Sequence, residues 1–260
     1  MIVCADDFGL RADIDEAILE LCAARKLSAV SCMTLFERCS QESLREIQKF
    51  RARIDLGLHL CLTAEPVARS SNGANASPII FSSFANCLWR TFSRTVSKPN
   101  LLREISAQYE GFVDKTGSAP DHIDGHLHIH QAPAIREALI EFVLSLPENH
   151  RPYVRNTAMS IRELQTRRLL FAKAWPIGIF GARMARRLRS AGLRTNEGFA
   201  GIYDFNRHMR FCEFLPGFVR CLKDRKGILV VHPGKGEAWR RSEFEAMAKT
   251  DFTRSPNKFE

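Results

Sequence analysis

Two adjacent carboxylates, Asp6 and Asp7, end an apolar run at the start of the chain, and Gly9 follows them. His59 lies inside a second apolar run, Leu56-Gly57-Leu58-His59-Leu60. His126, His128 and His130 alternate just after Asp124-Gly125. His232 closes the run Ile228-Leu229-Val230-Val231 and precedes Pro233-Gly234. Carboxylate oxygens and imidazole nitrogens are the donors that zinc, magnesium or manganese take from proteins. Neighbouring carboxylates repel unless a cation neutralises them or one keeps a proton. One division of labour for Asp6 and Asp7 is a ligand and a general base; the bland alternative is a helix-capping pair. A lone His such as His59 in an apolar strand is more often a hydrogen-bonded core residue than a ligand. On an extended strand His126, His128 and His130 share one face, and one or two of them are expected to bind metal. Asp124 or Asp121 would orient such an imidazole from behind. His232 is a candidate general acid. Arg155, in Tyr153-Val154-Arg155-Asn156, either orients a carboxylate or substrate group or is an ordinary surface arginine. The chemistry indicated is metal-dependent hydrolysis.

Such residues lie far apart in sequence, so rigid elements must bring them together. Met1–Ala5, Ala29–Met33, Asp55–Leu62, Asp121–His126, Pro152–Asn156, Phe199–Tyr203 and Ile228–Val231 read as strands. Helical spacing predicts helices over Ile14–Arg25, Gln41–Arg51, Leu101–Lys115, Gln131–Leu144 and near Met209–Lys223. Repeated βα units predict a parallel sheet with helices outside, and about seven strands are enough for a barrel to close. A barrel of this length is one domain. The stretch of about 63–100 breaks the rhythm with a Ser/Asn/Gly loop composition and is expected to form a rim over the site.

The net charge is +9 in 260 residues, and the excess is concentrated. From Arg162 to Arg194 nine basic residues face the single acid Glu163. Bulky apolar residues interleave with them, and Pro176 and Gly178 are expected to break this segment, about 160–194, into two helical pieces. That pattern allows peripheral contact with an anionic membrane; the alternative is an apolar face on the barrel with solvated arginines. Charge so localised argues against a specific nucleic-acid binder. No leader-like start or membrane-spanning run is read, and the eight scattered cysteines suggest buried reduced thiols, so a protein that is cytoplasmic, free or membrane-peripheral, is expected.

The motifs Ala-Asp-Asp-Phe-Gly at 5–9, Gly-Leu-His-Leu-Cys-Leu-Thr at 57–63, Asp-Gly-His-Leu-His-Ile-His at 124–130 and His-Pro-Gly at 232–234 together resemble the YdjC family of carbohydrate deacetylases. That family includes chitooligosaccharide and hopanoid-biosynthesis deacetylases. The resemblance runs from Met1 to about Gly234. It implies an α/β fold, a (β/α) barrel variant related to polysaccharide deacetylases. It implies one divalent ion on Asp7, His59 and His126, with Asp6 as general base and His232 as acid. His128, His130, Asp124 and Arg155 would contact substrate or stand behind the ligands. The partners implied are an acetylated amino-sugar substrate and, in a homodimer, a second copy. Two rivals stand beside this reading: a metal-dependent phosphoesterase on a similar barrel, which would use two metals, and a non-catalytic protein that binds anionic surfaces.

Overall fold

The computed structural model describes residues 1–34, 41–63, 81–93, 95–159, 171–205, 210–222 and 226–251. Seven strands form one parallel sheet: β1 (Ile2–Phe8), β2 (Ala29–Cys32), β3 (Asp55–Leu60), β4 (His122–Gly125), β5 (Tyr153–Val154), β6 (Gly198–Ala200) and β7 (Gly227–Val231). Helices α1 (Ala12–Ala23), α2 (Gln41–Gln48), α3 (Phe84–Phe92), α4 (Lys98–Thr116), α5 (Pro133–Ser145), α6 (Phe171–Ser190), α7 (Phe211–Leu222) and α8 (Ala238–Lys249) alternate with them. Every strand residue is buried, as a parallel sheet covered on both faces requires.

Strand alternation sorts the side chains into two sets. Val3, Ala5, Val30, Leu56, Leu58, Ile123, Leu229 and Val231 belong to the large core that also holds the helix stripes. Ile2, Cys4, Ala29, Tyr153 and Ile228 form a separate small cluster inside the curl of the sheet. The same period carries Ile2 and Cys4 on to Asp6, and Tyr153 on to Arg155. The inner face thus changes from apolar to charged toward the C-terminal strand ends.

The sheet order is β5-β4-β3-β2-β1-β7-β6, so no backbone ladder joins β5 to β6. The expected barrel variant of seven parallel strands is present, curled rather than fully closed, and its seam carries one backbone bond, Val154 N to Arg194 O at 3.0 Å, beside side-chain bonds. Asn156 N donates to Asn196 Oδ1 at 2.8 Å, Asn156 Nδ2 to Asn196 O at 2.7 Å, and Asn196 Nδ2 to Asn156 O at 2.9 Å. Two amides replace a ladder where the strands are too short to supply one.

Other expectations need correction. The backbone leaves the extended form after Gly125, so strand β4 does not include His126. A 3-10 turn spans His126–Gln131, with Leu127 (φ 53°) and His128 (φ 57°) both left-handed. Two such residues in succession reverse the chain, and His126, His128 and His130 therefore do not share a face. Within the basic segment, Phe171–Ser190 form one continuous helix, α6, with Pro176 and Gly178 inside it, so these residues do not break it. Packing offsets their low helix propensity: Gly181 lies against Thr157, while Met184 and Leu188 are buried. Arg183, Arg186, Arg187 and Arg189 are exposed, and Arg187 pairs with Glu137 of α5. Residues 160–170 of this segment, with Leu169 and Leu170, lie outside the described residues. In the expected rim insertion, α3 and the bridge between Thr63 and Phe81 are present, and the Ser/Asn/Gly run at 70–78 lies outside the described residues. The described cysteines are free; five are buried, but Cys212 is exposed and Cys221 half-exposed. Among the described residues no helix is long and apolar enough to cross a membrane.

Asp15 of α1 anchors the turn after β1. Its carboxylate accepts the Gly9 amide hydrogen at 2.6 Å and is 4% exposed. Burial pushes its pKa up to about 7, against the lowering effect of the bonds from Gly9 and Ser43. The folded value exceeds the unfolded one, so this group's stability is fully present below about pH 4 and is lost as pH rises through 7. Asp15→Asn keeps the acceptor and removes the titration. The variant should gain on the order of 3 kcal/mol over the native chain between pH 5 and pH 8. Urea denaturation at both values checks this; a constant difference between the two proteins would refute it.

Candidate active site

The β1 end brings both of its carboxylates into one place. Asp7 has a left-handed backbone (φ 70°), and the register with β2 shifts between Ala5 and Phe8. Asp tolerates this conformation better than most residues, and such strain is concentrated at functional sites. Without the shift, strand alternation would send Asp6 and Asp7 to opposite faces.

Asp7 Oδ1 lies 3.0 Å from His126 Nδ1 and 3.5 Å from His59 Nε2. The three donor atoms lie within 4.8 Å of one another. Behind His59, Nδ1 donates to Asp124 Oδ1 at 2.6 Å, which fixes the tautomer and leaves Nε2 as the donor to an ion. Asp124 Oδ2 accepts from Ser31 Oγ at 2.6 Å, and Ser31 Oγ lies 2.8 Å from His122 Nε2. Gly57 is required here, because a Cβ on it would lie 2.1 Å from His122 Nε2.

Asp6 is held differently. Arg155 Nη1 donates to Asp6 Oδ2 and Nη2 to Asp6 Oδ1, both at 2.7 Å. The same guanidinium pairs with Asp124 and reaches Ser31 Oγ at 2.9 Å and Cys4 Sγ at 3.2 Å. Arg155 is fully buried, so the surface alternative considered for it is wrong. Burial works to raise the Asp6 and Asp124 pKa values, but the Arg155 and His59 charges and their hydrogen bonds together outweigh it, and both groups are held below the usual carboxylate range. Burial likewise works against the Asp7 charge, and contacts with His126, His59 and Arg240 overcome it.

His232 follows β7. Its Nε2 is 4.0 Å from Asp6 Oδ2, and its Nδ1 is 3.9 Å from Glu243 Oε1. Glu243 of α8 also accepts from the His232 amide and, at 2.8 Å, from Tyr203 OH. Burial pushes Glu243 up to about 8 and His232 down to about 4, despite Asp7 and Asp6 beside the imidazole. His130 donates from Nε2 to the Arg155 carbonyl at 2.9 Å, so it supports the β5 end. His128 packs edge-on against Phe199, and burial pushes its pKa well down. Neither is among the three donors that converge. The pocket opens beside His126 and His232, whose side chains are 11% and 17% exposed against 2% for Asp6, Asp7 and His59. Phe205 and Trp239 flank His232, with ring centroids 5.3 and 6.2 Å away.

The donor set fits a divalent ion. Two imidazoles and one carboxylate converge, and three buried carboxylates, Asp6, Asp7 and Asp124, face only two buried guanidiniums, Arg155 and Arg240. The pocket is short of positive charge unless a cation binds or imidazoles protonate.

A family model for YdjC-like proteins matches residues 1–257. The chain belongs to the YdjC-like family. A carbohydrate deacetylase of Mus musculus is 28% identical over 257 residues, covering 90% of this chain and 77% of the relative. A chitooligosaccharide deacetylase of Enterobacter sp. (strain 638) is 28% identical over 143 residues, covering 55% of this chain and 54% of the relative. A solved structure, that of a proposed cellobiose-phosphate cleavage protein from Enterococcus faecalis V583, has the same fold. It superposes with a TM-score of 0.67 at 16% identity, covering 98% of this chain and 92% of the other.

Within this YdjC-like chain, sequence reasoning missed Arg240, Glu243, Ser31, His122 and Tyr203. A signal for the first two was present. Arg240, Glu243, Ala246 and Met247 occupy the buried stripe of α8, and charged residues at core spacing need partners inside.

Proposed function

We propose that this chain is a metal-dependent hydrolase that removes the N-acetyl group from an amino-sugar-containing oligosaccharide or lipid-linked glycan, releasing acetate. The observation that carries this reading is the convergence of Asp7, His59 and His126 beside an ionised Asp6 and the His232–Glu243 pair. The names of the relatives supply the substrate class. A divalent ion on Asp7, His59 and His126 would supply Lewis acidity, acidifying a water and polarising the acetamide carbonyl. Asp6 takes the water proton. Arg155 keeps it ionised, and a carboxylate has lone pairs beyond the two that a bidentate guanidinium uses. His232 delivers a proton from Nε2 to the departing amine as the C–N bond breaks, and Glu243 holds the His232 backbone by accepting its amide hydrogen. Phe205 and Trp239 offer apolar faces to a sugar ring at the mouth.

The alternative of a two-metal phosphoesterase is less well supported. Asp6, His59 and Asp124, and also Cys4, His122 and Asp124, lie close enough together to hold an ion. The Arg155 guanidinium already lies against Asp6, Asp124 and Cys4, so a fixed cation stands where a second ion would bind.

The test is a screen of N-acetylated sugars, free and lipid-linked, for acetate release, run with metal analysis. His126→Ala should lose bound metal and activity together, because one of three donors is gone. Full metal occupancy in that variant would remove His126 from the ligand set.

A further inference from the structure

The two oxygens of Asp7 face different partners. Oδ1 points at His126 and His59. Oδ2 accepts a hydrogen bond from Arg240 Nη2 at 2.7 Å. Arg240 is 6% exposed. Its guanidinium lies over the Trp239 ring, 4.4 Å from the centroid, and its Nη1 donates to the His232 carbonyl at 3.3 Å. Its Nε lies 3.7 Å from Glu237 Oε2. A guanidinium held by a ring, two oxygen acceptors and a further carboxylate cannot swing away from Asp7 without breaking several contacts.

We propose that Arg240 is a positioning residue that restricts Asp7 to one donor oxygen and keeps the bound dication loosely held and electrophilic. The proposal rests on the metal reading above. The group behind a metal ligand is usually a carboxylate or carbonyl, which adds electron density and tightens the ion. Here it is a cation. It draws charge from the Asp7 carboxylate and repels a dication only a few ångströms away, at a depth where salt screens little. It also occupies the oxygen that would let Asp7 chelate with both, which would take up a position that a hydrolytic site must leave open. Through the His232 carbonyl, the same side chain ties the strand end that carries the proton donor to the strand end that carries the ligand.

The sign of the effect distinguishes this role from simple support. The full chain, stripped of metal by a chelator, is titrated with zinc by chelator competition. Arg240→Met and Arg240→Gln, both neutral, should bind zinc roughly 10–100-fold more tightly than the native chain. Acetate release at saturating zinc should fall by roughly 10–100-fold in both. Arg240→Lys keeps the charge and should stay near the native affinity. If Arg240→Met fails to fold, Arg240→Gln reads the same loss of charge while keeping a donor to Asp7. Unchanged or weaker zinc binding in a neutral variant with a native circular dichroism spectrum overturns the proposal and leaves the metal reading intact. A native chain that binds no zinc, magnesium or manganese overturns both.

Discussion

Asp6→Asn should retain its divalent ion at native affinity while losing roughly 10²–10⁴ in kcat, the range for removal of a general base. Both Asp6 oxygens are occupied by Arg155, at 2.7 Å each, whereas Asp7 turns one oxygen toward the two imidazoles. On that difference we propose Asp6 as the base and Asp7 as a ligand, although the two are neighbours in sequence and both are buried. The amide of Asn still offers Arg155 one acceptor oxygen, so the fold should survive with a modest loss. Metal content by elemental analysis and acetate release, measured on the same samples, check both halves. A variant that loses its metal would mean that Asp6 is itself a ligand.

Arg155→Met should destabilise the fold by about 3–5 kcal/mol at pH 7, as expected when one partner of a buried ion pair is removed. Asp6 and Asp124 would remain buried near each other with no guanidinium between them. Their folded pKa values are depressed by Arg155 in the native chain. Depressed carboxylates contribute stability above the unfolded value, near pH 4, and lose it as pH falls through the folded value. Native and variant stabilities should therefore converge as pH falls to 4 and below, where the carboxylates take up protons. Denaturant unfolding at pH 7 and pH 4 reads this, and an equal loss at both would show that Arg155 matters by packing alone. The same variant should be inactive, since Arg155 joins Asp6 to Asp124 and through it to His59.

The sequence by itself determined which strands carry the donors. Apolar runs mark β1, β3 and β7, although β1 runs to Phe8 rather than stopping at Ala5 and β3 stops at Leu60 rather than Leu62, so that Asp6, Asp7 and His59 lie in the last residues of their strands and His232 just beyond β7. Donor chemistry then pointed to a divalent ion. Family motifs separated the neighbours Asp6 and Asp7, which residue types alone could not do. What only the tertiary structure decided depends on backbone reversal and long-range pairing. Local spacing put His126, His128 and His130 on one face, but two left-handed residues in succession send His126 to Asp7 and His130 beneath Arg155. The sequence leaves Arg155 open between a carboxylate-orienting group and a surface residue, because nothing local shows that β1 and β4 will place two carboxylates around it. Arg240 and Glu243 lie in a helix that looks mostly polar, and only its docking beside β1 and β7 turns their charges inward. A charge is buried where partners distant in sequence meet it, so the pairing partners of Asp6 and Asp7 emerge only once the sheet has curled.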